Sequence, residues 1–110
     1  MTYRFEMIPA SEKDFDELVA YFMESANFVD NARIKAESFY EQMRSVVDYP
    51  RRFLCVTGNV WNGQEARYKV IGRSVVFFEI DEELSVVRVL RILDYRQDLK
   101  DYFGVDHEQD

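Results

Sequence analysis

Apolar and polar residues alternate along Tyr3-Arg4-Phe5-Glu6-Met7-Ile8 and the run stops at Pro9, the period-two pattern of a short strand. Ser11 followed by Asp14 has the form of a capping box with Asp in the usual Glu place, and the acids around it suit a helix N-terminus. Phe15, Leu18, Val19 and Phe22 then recur at helical spacing as a single apolar stripe. A first helix is therefore expected to run to about Ser25. Asn27 to Asn31 carries turn residues, with Asp30 offered as an N-cap, and Ala36, Phe39, Tyr40, Met43 and Val47 repeat the helical spacing up to Pro50. So short a connection makes the two helices an antiparallel hairpin.

Beyond Pro50 the period falls to two and β-branched residues take over. Phe53 to Thr57 reads as a strand or an extended loop, and Gly58-Asn59 and Asn62-Gly63 carry turn signals. Arg67 to Ile71, Ser74 to Ile80 and Val86 to Leu93 read as strands, separated by Gly72 and by an Asp81-Glu82-Glu83 tip. Leu99 to Phe103 adds a short helical turn or a tail packed on the sheet. The expected fold is α+β: an N-terminal strand, an antiparallel helical hairpin that covers one face, then three to four antiparallel strands in one sheet. No repeat, linker or low-complexity tract divides the chain, so 110 residues are expected to make one domain with a polar acidic tail at about 104–110.

Composition narrows the functional classes. With 47% hydrophobic and 15% aromatic residues the chain has enough apolar area to fold without a metal or a disulfide. One cysteine, Cys55, and one histidine, His107, leave no zinc-type cluster, and the glycines are too few for a phosphate loop or dinucleotide fingerprint. No metal and no cofactor is expected, and a reducing cytoplasm suits the lone thiol. No apolar run is long enough to span a membrane. The net charge of −7 argues against general attraction to nucleic acid. That charge is concentrated in Glu12, Asp14, Asp16, Glu17 and Glu24, countered only by Lys13, and in Asp106, Glu108 and Asp110. Asp14 and Glu17 fall on the outward face of the first helix, where a solvated surface is expected.

The arginines of the last strands stand apart. Arg88 and Arg91 interrupt an otherwise apolar run, and Asp94, Arg96 and Asp98 follow at once. Antiparallel order places Arg73, Arg91 and Arg96 at one end of the sheet and Arg67 at the other. One reading has Arg91 and Arg96 pairing with Asp94, Asp98 or Glu79 as stabilising bridges. The other has these guanidinium groups join Tyr95 and Tyr102 in a surface for phosphate or acidic peptide, to which the bidentate arginine fork is suited.

The order of elements, Tyr49-Pro50 after the second helix, "ARYKVIGRSVVFFEID" and "VVRVLRILDYRQDL" together resemble the RelE/ParE toxin superfamily of bacterial type II toxin–antitoxin systems, over about residues 3–103. The resemblance is nearest to the ParE side, through Arg67, Gly72, Arg73, Phe77, Asp81, Leu90, Arg91, Arg96 and Asp98. It implies a toxin neutralised by a cognate antitoxin whose C-terminal segment wraps the hairpin and sheet. ParE-type toxins poison DNA gyrase; RelE-type toxins cut messenger RNA on the ribosome.

A gyrase-directed, non-catalytic toxin is the leading expectation, with Arg67, Arg73, Arg91, Asp94, Arg96 and Tyr102 as target-binding candidates. The enzymatic alternative is a ribosome-dependent endoribonuclease, in which Arg73 and Arg96 would hold phosphate and Tyr102 and Lys69 would complete the site. A third class is a non-toxic interaction module on the same fold. Asp94 stands where many relatives have His, and the acidic charge contrasts with the basic character common among them.

Overall fold

The computed structural model describes residues 2–25, 29–61 and 64–94, the side chains of 29, 30, 57–61 and 64 excepted. Five strands, β1 (Arg4–Met7), β2 (Cys55–Trp61), β3 (Gln64–Ile71), β4 (Ser74–Asp81) and β5 (Val86–Asp94), form one sheet in the order β1-β5-β4-β3-β2. Helices α1 (Pro9–Ser25) and α2 (Val29–Arg44) lie between β1 and β2 in sequence, and turns of 3-10 helix at Ser45–Asp48 and Pro50–Arg52 lead into the sheet. The α+β expectation holds, with β2 to β5 antiparallel throughout. β1 is the exception in direction, because it pairs in parallel with β5, Arg4 opposite Val86 and Met7 opposite Val89. A crossover through two helices is what a parallel neighbour requires.

Local chemistry departs from the sequence reading at three points. Pro9 begins α1 and does not merely end β1: the Ile8 carbonyl accepts the Glu12 amide at 2.9 Å, so Ile8 is the N-cap and Pro9 the first helical residue, where its missing N–H costs nothing. Ser11 is consequently inside the helix and fully buried, not a cap. Asp30 likewise lies within α2, which starts at Val29. Gly58-Asn59 does not reverse the chain; its backbone belongs to β2, whose register against β3 shifts between Cys55 and Val60. Asn62-Gly63, Leu99 to Phe103 and the 104–110 tail lie outside the described residues.

β5 is buried on both faces. Val87, Val89 and Ile92 join Phe39, Met43, Val76 and Phe78 in the core beneath the helices, with Phe15, Leu18 and Phe22 of α1 packed against it. Leu90 and Leu93 join Val56, Ala66, Val75 and Phe77 in a second cluster. Two-sided burial is why this strand reads as an almost continuous apolar run. The steps of three from Val89 to Ile92 and from Leu90 to Leu93 come from a β-bulge, since Phe78 pairs with Val89 and Phe77 with Arg91, leaving Leu90 as the extra residue.

The β3–β4 hairpin closes through Gly72 and Arg73, with Ile71 opposite Ser74. Gly72 sits at φ +59, a left-handed conformation that glycine adopts without steric cost.

Candidate functional site

The two ends of the sheet are built differently. At the end where β5 begins, Arg88 lies between Glu6 of β1 and Glu79 of β4, its cross-strand neighbours on either side. It donates to Glu6 at 2.8 Å, to Glu79 at 2.6 Å and to Asp81 at 3.4 Å, and Glu6 and Glu79 raise its already high pKa. Glu82, in the following turn, accepts hydrogen bonds from Arg51 and Tyr3, which hold its carboxyl below the usual range. Glu79 therefore serves Arg88 and not Arg91.

Arg67 is at this same end, opposite Phe78 and remote from Arg73, as antiparallel order requires. Its guanidinium donates to the carbonyls of Phe53 at 2.6 Å and Arg51 at 3.2 Å, tying the 3-10 turn at Pro50–Arg52 to the sheet. Lys69, two residues on and on the same face, donates to the Gln42 carbonyl at 3.0 Å and to Ser45 Oγ at 3.2 Å. Gln42 lies in the last turn of α2, where carbonyls lack helical partners, so Lys69 acts as a C-terminal cap. Burial, reinforced by the nearby Arg52 charge, lowers its pKa.

The opposite end carries a groove of about 1170 Å³ between the helical hairpin and the β3–β4 turn, with Tyr21, Ile34, Lys35, Arg73, Arg91 and Asp94 among its lining. Arg73 and Arg91 do come together there. Arg73 is exposed on its turn and makes no ion pair among the described residues. Arg91 pairs with Asp14 of α1, to which its Nε and Nη2 donate at 2.6 and 3.0 Å. Asp14 also accepts the Ile92 amide at 2.9 Å. The expectation of a solvated Asp14 is thereby overturned: its side chain is 9% exposed and lies against the edge of β5. Asp94, opposite Ser74, is itself engaged by a further contact. Arg96, Asp98, Tyr95, Tyr102 and His107 lie outside the described residues.

Chemically, the described candidates divide into one exposed cation and three engaged ones. Cleaving RNA without a metal requires a proton acceptor for the 2′-hydroxyl, a proton donor for the leaving oxygen and cations on the phosphate. Of these, Arg73 is available, whereas Arg67, Lys69 and Arg91 already donate to carbonyls, a hydroxyl or a carboxylate within the chain. Among the described residues no group of three or more His, Cys, Asp and Glu side chains is arranged to hold a metal, and no helix is long and apolar enough to cross a membrane. Asp14 is the residue that sequence reasoning missed as a partner of Arg91.

No protein-family model matches the chain, and no curated protein sequence matches it. Solved structures do. A double mutant of the E. coli toxin RelE in the free state superposes with a TM-score of 0.56 at 14% identity, covering 89% of this chain and 88% of that one. The fold is RelE-like. A chain of the archaeal RelE–RelB complex from Pyrococcus horikoshii OT3 gives the same TM-score and identity over 88% of this chain and 99% of its own length. The RelE-like architecture accounts for the strand–hairpin–sheet order, with β1 brought beside β5 by the helical crossover.

Proposed function

We propose that this chain is the toxin-type member of a bacterial toxin–antitoxin pair, bound by a cognate antitoxin, and that it acts in the cytoplasm by ParE-like interference with DNA gyrase. The RelE-like fold supports the toxin class. One observation favours a binding protein over a nuclease: Arg67, Lys69 and Arg91 are committed to internal partners, which leaves Arg73 as the exposed cation of the described candidate set. In the gyrase reading Arg73, Arg91 and Asp94 present the groove end of the sheet to the target, with Arg96 and Tyr102 following in sequence. Arg67, bound to backbone carbonyls at the other end, has a structural role.

Purified protein free of antitoxin is expected to inhibit gyrase supercoiling or trap cleaved DNA. Unimpaired supercoiling at molar excess rejects the target. The second reading, a ribosome-dependent endoribonuclease, is favoured by the neighbours both being RelE structures. Codon-associated transcript ends after induction would establish it in place of gyrase. Antitoxin binding without growth arrest would leave the non-toxic interaction module.

A further inference from the structure

Alternate residues of β4 divide between the two faces of the sheet: Val76 and Phe78 belong to the core beneath the helices, and Val75 and Phe77 to the cluster on the other side. Every helical side chain in these clusters, from Phe15, Leu18 and Phe22 of α1 to Phe39 and Met43 of α2, belongs to the first. The second consists of Val56, Ala66, Val75, Phe77, Leu90 and Leu93, with Ile8 and Tyr68 beside it, so among the described residues no helix lies over it. Yet none of the six exposes more than 4% of its surface. Side chains standing on a sheet face reach that burial only when other atoms lie over them, and an antiparallel face turned to water would read polar. The face is therefore covered. Phe77, Arg91 and Asp94, gathered toward the exit of β5, are each engaged by a contact beyond those described above.

Reach decides which residues can supply the cover. Residues 26–28 follow α1 and precede α2, the two helices that pack on the other face. Trp61 ends β2 opposite Gln64, and Val70, the partner of Val75, is six residues further along β3, about 20 Å away. The segment after β5 starts where cover is needed, because Asp94 is the last residue of the strand and Leu93 is in the cluster. It carries Tyr95, Leu99, Tyr102 and Phe103 at the spacing of a single helical stripe, with Val105 beyond them, before the sequence turns polar at Asp106. Three interstrand steps from β5 to β2 make about 14 Å, and eleven residues span roughly 16 Å even at helical rise. We propose that residues 95–105 of this chain are the cover of the second sheet face, docked there through Leu99 and Phe103. This docking does not depend on the toxin reading.

The full chain with labelled Leu and Val methyls tests this by NMR. Nuclear Overhauser contacts are expected from the methyls of Val75, Leu90 and Leu93 to the Leu99 side chain and the Phe103 ring. Their absence in the folded protein, or contacts from those methyls to another segment in their place, overturns the proposal. A mixture of labelled and unlabelled chains identifies the source: contacts between differently labelled chains make the cover a second copy and reject the proposal too. Leu99→Asp/Phe103→Asp should release the segment and raise binding of a fluorescent dye for apolar surface severalfold, with the Val87 and Val89 methyls of the helix-side core unshifted. Unchanged dye binding in the folded variant rejects the docking; if that variant does not fold, the wild-type contacts decide alone.

Discussion

Asp14 and Arg91, 77 residues apart in sequence, are joined by two hydrogen bonds from the Arg91 guanidinium to the two Asp14 carboxylate oxygens, and one of those oxygens also takes the Ile92 amide. The pair links α1 to the bulged part of β5. Arg91 follows the extra residue Leu90, and bulges commonly re-aim the side chain beside them.

Removing the carboxylate would take two charged hydrogen bonds from a largely buried guanidinium. Asp14→Ala is expected to lower unfolding free energy by about 3 kcal/mol, and Asp14→Asn by less, since the amide oxygen can still accept from Ile92. The double variant Asp14→Ala/Arg91→Met should recover part of the loss. Urea unfolding of these proteins together with the single variant Arg91→Met measures this; additive losses in the double variant would mean that the two side chains do not act as a pair.

Ser11 offers a finer test. Its hydroxyl lies 2.8 Å from the Val89 carbonyl and 3.0 Å from that of Ile8, and the residue has no exposed surface. Ser11→Ala should cost about 1 kcal/mol, because the Val89 oxygen keeps the Ile8 amide as a partner. Ser11→Val should cost more, up to about 3 kcal/mol, through overpacking at the helix–sheet contact. Thermal unfolding of both distinguishes a lost hydrogen bond from a steric limit.

Lys69 gives a pH dependence of defined sign. Its folded pKa is lowered by burial and by the Arg52 charge, so between that value and the ordinary lysine value the unfolded chain holds more protons than the folded one. Stability linked to Lys69 therefore rises with pH across this window, and the burial penalty is felt in full below it. Wild type should gain on a Lys69→Met variant as pH increases through the window. A stability difference independent of pH would reject the linkage.

Arg73 should separate function from folding. The residue is exposed at a turn, so Arg73→Ala is expected to change stability by less than about 0.5 kcal/mol. It should relieve growth arrest and gyrase inhibition if the groove end meets the target. Arrest that persists undiminished would place the working surface elsewhere. Gly72→Ala, by contrast, should destabilise by about 1 kcal/mol because φ is +59 there, although nothing lies within 4 Å of the added methyl.

Periodicity made the helices and strands legible, since Phe15, Leu18 and Phe22 do face the core and the β-branched runs do form the sheet. The helix start was legible too, in Pro9 at the first helical position, but Ser11 and Asp14 imitate a cap so closely that the stronger signal is easily passed over. Asp14 could not be paired from sequence. A helical stripe identifies the core-facing side, yet it carries no mark for a polar position that borders a sheet edge. Arg88 hides its three carboxylates for a similar reason, because they come from β1, β4 and the end of β4, and β1 joins β5 only through the crossover. Lys69 and Arg67 look like free cations in a strand whose covering 3-10 turns have no periodic signature.

β1 leaves β5 at Val89, and from there α1 takes over its bonding: Ser11 donates to the Val89 carbonyl and Asp14 accepts from the Ile92 amide. A helix thus shields a stretch of strand edge that would otherwise be a template for foreign backbone. Among the described residues, the edges left for strand addition are β2 and the four residues of β1, because side chains of the protein's own first helix already bond β5 at Val89 and Ile92.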